Sequence, residues 1–185
     1  MSYKVAEIKQ ILDEAECLAD NDTVCEALDK MASQITAKVG NALPLIYVVM
    51  NGGMIVAGQL LPRLNFPLET AYLHVTRYGN ATQGNELEWQ AYPSQNLENR
   101  TVLILDDVLD EGFTLNAIVN LLEARGAKSV LTGVLVHKVH DRKAYPGMRA
   151  DFTGLDIEDR FLFGFGMDYR GYWRNAPGIY AVKGH

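Results

Sequence analysis

The stretch of sequence that decides the fold is Val102-Leu-Ile-Leu-Asp-Asp-Val-Leu-Asp-Glu-Gly-Phe-Thr114. It opens with a short aliphatic run, which is typical of a strand buried on both faces of a parallel sheet. Two adjacent acids, Asp106 and Asp107, follow at the predicted carboxyl end of this strand. Because consecutive side chains on a strand point to opposite faces, the two acids are expected to differ in role unless the chain turns there.

A short loop at residues 110–114, which contains Gly112, leads from these acids into a predicted helix. Backbone N–H groups at a helix N-terminus lack intrahelical partners, and the helix dipole adds positive potential there. With the Thr114 hydroxyl, such a turn forms a cradle for a phosphate. The segment therefore indicates a phosphomonoester site beside acids suited to sugar hydroxyls. A capped strand-to-helix turn without a ligand is the alternative interpretation.

Strands and helices alternate on either side of this stretch. Helical spacing of apolar residues predicts helices at residues 4–19, 23–39, 54–61 and 114–125. Extended runs predict strands at residues 43–50, 68–76, 101–105, 129–137, 152–157 and 160–165. The alternation predicts βαβ units and a parallel sheet. Ligands bind beyond the carboxyl ends of strands in such sheets, here after Met50, Leu105, Val136 and Phe163.

Residues 77–100 differ from the rest of the chain because they are polar and show no steady period. An insert of this length in a compact domain is usually functional and often a lid, whereas a hairpin without a role is the alternative. We expect a single domain over residues 1–185. In it, residues 77–100 form a mobile loop and the helices of residues 1–40 form a hood or a dimer contact.

The composition excludes some classes of partner. The 185 residues carry a formal net charge of −6, whereas nucleic acids and anionic membranes both require a basic face. A small phosphate ligand is compatible with this charge, since a few amides and cations can hold it. Cys17 and Cys25 lack metal or redox spacing and are expected as buried or half-buried thiols on helices. The acidic N-terminal region predicts a cytoplasmic protein without a signal peptide or membrane span.

The order of four hydrophobic residues, Asp-Asp, two apolar residues, Asp, any residue, Gly, any residue and Thr resembles the phosphoribosyl-pyrophosphate signature of type I phosphoribosyltransferases. The resemblance implies an α/β fold with an open, mostly parallel sheet flanked by helices, a small hood and a long flexible loop. It implies that Asp106 and Asp107 bind the ribose hydroxyls, directly or through Mg²⁺. It also implies that Asp110 faces N7 of the base in proton transfer, and that the 5′-phosphate is held by the loop residues Asp110, Glu111, Gly112, Phe113 and Thr114.

Two positions depart from the family pattern. Glu111 stands where Thr is usual, and we expect its carboxylate to point to solvent because a phosphate would repel it. Asn51 replaces the usual Lys of a pyrophosphate loop, Asn51-Gly52-Gly53, where the family often has a cis peptide and glycine amides approach a polyanion closely. The resemblance then implies that pyrophosphate depends more on amides such as that of Gly52, on magnesium and on Arg174.

Further segments resemble the hypoxanthine-guanine phosphoribosyltransferases within this family. Lys138 follows a predicted strand at the position from which a Lys donates to the purine 6-oxo group, so hypoxanthine or guanine is favoured over adenine. Residues 151–175 resemble the same enzymes nearly position by position. That match implies that Phe161 stacks on the base and the Leu162 backbone bonds its exocyclic group. It further implies roles for Asp168 in magnesium binding and for Arg174 in pyrophosphate binding.

The polar insert opens with Arg77 and Tyr78, where the family has a mobile lid usually beginning Ser-Tyr. The resemblance as a whole implies purine salvage from phosphoribosyl pyrophosphate by a homodimer or homotetramer. One alternative is a regulator on the same fold that senses phosphoribosyl pyrophosphate and binds nucleic acid, which the acidic composition disfavours. Another is a different doubly wound protein with acids at strand ends, and a xanthine or adenine preference is a third.

Overall fold

The computed structural model describes residues 4–77 and 87–184. Its helices are α1 (Val5–Glu14), α2 (Asn21–Val39), α3 (Gly53–Leu60) and α4 (Phe113–Ala124), with a 3₁₀ turn at Leu61–Arg63. Its strands are β1 (Glu16–Ala19), β2 (Leu45–Met50), β3 (Glu69–Arg77), β4 (Leu87–Ala91), β5 (Thr101–Leu109), β6 (Ser129–Val139), β7 (Phe152–Glu158), β8 (Leu162–Phe163) and β9 (Ile179–Ala181).

Six strands form the main sheet in the order β4-β3-β2-β5-β6-β7. The strands β3, β2, β5, β6 and β7 are parallel to their neighbours, and β4 pairs antiparallel with β3 at the edge. Helices α2 and α3 cover one face and α4 covers the other, so that successive residues of β2, such as Ile46 and Tyr47, enter two different apolar cores. Coverage of both faces explains why these strands are almost continuously apolar.

A second, three-stranded antiparallel sheet has the order β1-β9-β8. Phe163 of β8 stacks on Tyr180 of β9 with ring centroids 5.5 Å apart. The indole of Trp173 donates to the carbonyl oxygen of Ile8 at 2.6 Å and ties α1 to the polypeptide that follows β8. These contacts hold the small sheet and α1 together. The predicted α/β fold with an open, mostly parallel sheet flanked by helices is confirmed.

Some predicted elements are wrong at their ends. The helix expected over residues 4–19 stops at Glu14, because residues 16–19 pair with β9 instead. Cys17 is consequently exposed on β1, whereas Cys25 is half-buried on α2. The strand expected at 101–105 continues to Leu109. Tertiary pairing overrides local helix spacing in the first case.

Two further differences concern strand assignment. The strand expected at 160–165 shrinks to β8 and joins the small sheet. The insert at 77–100, expected to lack regular structure, contains β4.

None of the helices within the described residues combines the length and apolar character needed to cross a membrane.

Candidate active site

A cavity of about 630 Å³ opens at the carboxyl ends of β2, β5 and β6 and beside the segment around β8. This is the size of a small-molecule site. It also lies at the edge of the sheet predicted from the parallel order. The cavity is lined by all the binding and catalytic residues predicted from the sequence: Asn51, Gly52, Asp106, Asp107, Asp110, Glu111, Gly112, Phe113, Thr114, Lys138, Phe161, Leu162, Asp168 and Arg174.

The structure describes only one of the two predicted lid residues. Arg77 is the last residue of β3, and Tyr78 lies outside the described residues. Their role in closing the site therefore stays a prediction. His74 and Thr76 of β3 line the cavity and were not expected there. Their position follows from the parallel register that pairs His74 with Met50, which a single strand sequence does not reveal.

The predicted phosphate loop is held in place by contacts with residues 144–148. Gly112 has φ of +86°, a left-handed conformation that favours glycine, and it forms the N-cap of α4. A Cβ at this position would overlap the sulfur of Met148. The carbonyl oxygen of Glu111 accepts a 2.7 Å hydrogen bond from the Ala144 amide. The N-terminal amides of α4 are thereby presented to the cavity at a fixed angle.

Glu111 does not point wholly to solvent as expected. Its side chain is half-buried, and Glu111 is among the residues that line the cavity. A cation is close by, since the pKa of Arg142 is raised first by its hydrogen bond with Asp159 and, to a lesser degree, by the charges of Asp110 and Glu111.

Asp106 and Asp107 form a carboxylate pair on β5. Asp107 is buried and Asp106 half-buried, and the Asp107 amide donates to Asp106 Oδ1 at 2.9 Å. Burial, followed by the neighbouring Asp107 charge, raises the pKa of Asp106 well above its ordinary value, and burial raises the pKa of Asp107. The Arg174 guanidinium is 3.9 Å from Asp107. Two such carboxylates with so little compensating charge favour a bound cation.

Arg174 and Asp168 form an ion pair on the segment after β8, with Arg174 Nη2 2.5 Å from Asp168 Oδ1. Arg174 Nη1 donates to the Gly166 carbonyl oxygen at 2.6 Å, and Asp168 Oδ2 accepts from the Gly171 amide at 2.7 Å. In the adjoining loop after β2, the Met50–Asn51 peptide is cis, as the family resemblance implies, and Asn51 is exposed. A guanidinium, a carboxylate and a glycine-rich loop thus share one end of the cavity.

The cavity also offers an aromatic face. Phe161 is 48% exposed although it is a large apolar side chain. It packs edge-to-face against Tyr169, with ring centroids 5.9 Å apart. Leu162, the next residue, is buried at the start of β8. An exposed ring held by a second ring in a cavity suits stacking of a planar heterocycle.

Asp110 is the first residue of the predicted phosphate loop and follows directly on β5. Its Oδ2 accepts from Lys138 Nζ at 2.9 Å, and its Oδ1 lies 2.8 Å from His140 Nε2. Burial acts to raise the pKa of Asp110, but the hydrogen bonds from Lys138 and His140 and the charge of Lys138 outweigh it, and the pKa is lowered. Asp110 is therefore an ionised carboxylate with both oxygens partly occupied.

Three members of this network were not predicted from the sequence: His140, Lys143 and Asp159. Lys143 Nζ donates to the carbonyl oxygens of Leu109, Asp110 and Lys138, at 3.2, 2.5 and 2.6 Å. The Asp159 carboxylate forms ion pairs with Arg142 Nη1 at 2.8 Å and with Lys138 Nζ at 3.5 Å. Polar residues in a loop carry no periodic signal, so only the fold places these three beside Asp110.

A second group of side chains could in principle bind a metal ion. It consists of Asp110, His140 and Asp159, whose potential metal-ligating atoms lie within 4.8 Å of one another. Lys138 and Arg142 already neutralise these two carboxylates. The geometry therefore fits an ion-pair network here, whereas the Asp106–Asp107 pair is the better match for a cation.

The fold and the site define the class of protein. A family model described as phosphoribosyl transferase domain matches residues 14–170. The chain belongs to this phosphoribosyltransferase family, and the predicted resemblance is confirmed.

Individual relatives are more specific. The chain is 30% identical over 172 residues to the hypoxanthine-guanine phosphoribosyltransferase of Bacillus subtilis strain 168, covering 92% of this chain and 94% of that protein. It is 28% identical over 174 residues to the hypoxanthine-guanine-xanthine phosphoribosyltransferase of Tritrichomonas foetus, covering 94% of each. The crystal structure of a hypoxanthine phosphoribosyltransferase from Staphylococcus aureus superposes with a TM-score of 0.86 at 27% identity, covering 97% of both chains.

Proposed function

We propose that the chain is a purine salvage enzyme that converts hypoxanthine or guanine and 5-phosphoribosyl 1-pyrophosphate to IMP or GMP and pyrophosphate. One observation carries this proposal: an amide-rich loop at a helix N-terminus, a carboxylate pair and an exposed aromatic ring line the same cavity. These features are complementary to the phosphate, the ribose and the base of a nucleoside monophosphate. The names of the relatives support the same activity.

In the proposed reaction, N9 of the base attacks the anomeric carbon. The bond from that carbon to the pyrophosphate oxygen breaks as the new C–N bond forms, and the base loses a proton. The carboxylates of Asp106 and Asp107 favour the positive charge that develops on the sugar. Asp110, kept ionised by Lys138 and His140, accepts a hydrogen bond or the proton from the purine.

Magnesium fits this site. Mg²⁺ prefers carboxylate oxygens, and Asp106, Asp107 and Asp168 supply them around one part of the cavity. We propose that these side chains hold the ion, directly or through water. When bound, Mg²⁺ would neutralise charge on the leaving pyrophosphate. Burial, followed by the neighbouring Asp107 charge, raises the pKa of Asp106, and a bound cation would favour the ionised form of this carboxyl group.

The preference for a 6-oxopurine rests on Lys138. Its side chain is 12% exposed, and its ammonium group can only donate, so it matches a carbonyl oxygen and mismatches an amine. A site built to bond one such group rejects an analogue that cannot pair with it. Phe161 stacking does not discriminate among purines, which keeps xanthine as a further candidate base.

The deciding experiment is a panel of hypoxanthine, guanine, xanthine and adenine, each incubated with the enzyme, phosphoribosyl pyrophosphate and Mg²⁺. Chromatography of the products is expected to show IMP and GMP and no AMP. A Lys138→Met variant should lose turnover with hypoxanthine, whereas the exposed Lys128→Met control should keep it. Absence of nucleotide with every base would refute the enzyme and favour the sensing regulator.

The same proposal includes a cytoplasmic location and a homodimer or homotetramer. The family resemblance supports both, and the formal charge of −6 supports the absence of nucleic-acid and membrane partners. Light scattering coupled to size-exclusion chromatography measures the assembly directly. A monomer at all concentrations would contradict this part of the proposal alone.

A further inference from the structure

Residues 138–144, which comprise the end of β6 and the loop after it, lie against the chain around Asp110. Its cations Lys138 and Lys143 bind the Asp110 side chain and the backbone carbonyls of Leu109 and Asp110. The Ala144 amide binds the next carbonyl, that of Glu111. Within this segment His140 is the deepest side chain with a polar contact to Asp110, since only 6% of it is exposed.

The protonation of His140 follows from its two contacts. The backbone N–H of Arg142 donates to Nδ1 at 3.1 Å, so Nδ1 has no proton. The neutral imidazole then carries its proton on Nε2, which lies 2.8 Å from Asp110 Oδ1. His140 is therefore a fixed donor to Asp110, oriented by the backbone of its own turn.

Asp110 needs such a partner because 45% of its side chain is exposed and it follows directly on the end of β5. A carboxylate in that position can rotate, whereas productive proton transfer requires a narrow range of positions. Lys138 alone does not restrict it sufficiently, since the same ammonium also contacts Asp159 at 3.5 Å and, in the proposed function, faces the base. Among the residues that the structure describes, the hydrogen-bond acceptor at His140 Nε2 is Asp110.

We propose that His140 is a positioning residue for Asp110: its Nε2–H holds Oδ1 so that the remaining lone pairs of the carboxylate face the purine nitrogens. The inference rests on the proposed function, because it assigns His140 a role only through Asp110. The charged groups around the pair are Lys138 and Lys143 from the same segment, together with Arg142, Asp159 and Glu111. These remain in place when His140 alone is replaced.

Two substitutions separate the two contacts of His140. In His140→Asn the amide oxygen can still accept from the Arg142 N–H, but the side chain is too short to reach Asp110. In His140→Gln the longer side chain can still donate to Asp110. We expect His140→Asn to lower kcat about 10- to 100-fold, as loss of a hydrogen bond to a charged group does, with the KM for phosphoribosyl pyrophosphate unchanged. His140→Gln should recover most of kcat.

The pH profile and a double-mutant cycle show whether His140 acts through Asp110. Loss of the donor should move the acid limb of kcat/KM to higher pH in His140→Asn and not in His140→Gln. In an Asp110→Asn background the His140→Asn substitution should change kcat less than about twofold, because the coupled partner is already gone. The exposed neighbour Asp141→Asn serves as control and should keep wild-type kinetics.

The outcomes distinguish this inference from the proposed function. An inactive Asp110→Asn with a fully active His140→Asn overturns the role of His140 and leaves the enzyme intact. Equal losses from His140→Asn in both backgrounds also overturn it, because the effect would then bypass Asp110. A fully active Asp110→Asn instead refutes the proposed catalysis. Long-range ¹H–¹⁵N correlation spectra of the unmodified protein provide a test without variants: an Nδ1-protonated His140 refutes the inference.

Discussion

Asp107 packs directly on Gly52, so that a Cβ added at position 52 would overlap the carboxylate and lie only 2.7 Å from its Oδ1. Gly166, in the loop after β8, also packs on Asp107. A Cβ added at position 166 would lie 3.0 Å from the Cβ of Asp107. The loop after β2, the acid of β5 and the loop after β8 therefore fit together only because two of the three positions lack side chains.

Replacing Gly52 by Ala should displace the Asp107 carboxylate while the fold persists. We expect kcat/KM for phosphoribosyl pyrophosphate to fall about 100-fold, since a shift near 1 Å in a catalytic geometry has that effect. Gly58→Ala is the matched control, because a Cβ on this exposed position of α3 would meet nothing within 4 Å. That control should keep its activity and gain about 0.5–1 kcal/mol in free energy of unfolding. Wild-type kinetics in Gly52→Ala would disprove the proposed coupling.

The lowered pKa of Asp110 predicts a pH-dependent contribution to stability. A carboxyl group whose pKa is lower in the folded than in the unfolded state stabilises the fold above its unfolded pKa. This contribution is lost as the pH falls through the folded pKa. Asp110→Asn should therefore lower the Tm at neutral pH, and the difference from wild type should vanish in acid. Calorimetry across this pH range measures it, and a difference independent of pH would contradict the assigned charge network.

Removal of divalent metal should abolish nucleotide formation, with recovery on addition of Mg²⁺. The reason is the uncompensated carboxylate pair of Asp106 and Asp107. Asp106→Asn should weaken the binding of phosphoribosyl pyrophosphate with Mg²⁺ about tenfold or more, as measured by isothermal titration calorimetry. Asp29→Asn is the control, because Asp29 is a largely exposed acid paired with Arg63 on the outside of α2. Activity that persists in excess chelator would argue against a metal at this pair.

Lys143→Met should destabilise both the protein as a whole and the predicted phosphate loop. Its ammonium group donates to three carbonyl oxygens at the ends of β5 and β6, which the methionine leaves without that partner. We expect a loss of about 2–3 kcal/mol in the free energy of unfolding, measured by urea denaturation. Lys128→Met, on the exposed turn before β6, should change stability by less than about 0.5 kcal/mol. Equal stability of the two variants would refute the structural role of Lys143.

The positions of the site residues were predictable wherever the information is local. The signature segment contains a buried strand, a glycine that permits a positive φ and a helix start within a few consecutive residues, and the structure has these elements in that order. The position of the cavity was also predictable, because parallel strands align their carboxyl ends. The family resemblance added the residues after β8, whose pattern alone would fit an ordinary strand and surface ion pair.

The short strands were not predictable from local pattern. β1, β4 and β9 are too short for a period to be established, and β1 pairs with a strand at the other end of the chain, Glu16 opposite Ala181. A helical spacing through Leu18 therefore gave the wrong prediction at the end of α1. The energy that decides this region comes from a partner that the local sequence does not contain.

The amino-acid sequence by itself determined the parallel α/β sheet, the phosphate loop and the family, because each depends on hydrophobic period or on a contiguous segment. Tertiary structure alone decided which polar groups meet at Asp110. His140 and Lys143 come from a loop without periodicity, and their hydrogen bonds with the end of β5 form only when that loop folds back across β6. Such contacts depend on distances between segments far apart in the chain, and those distances exist only in the folded protein.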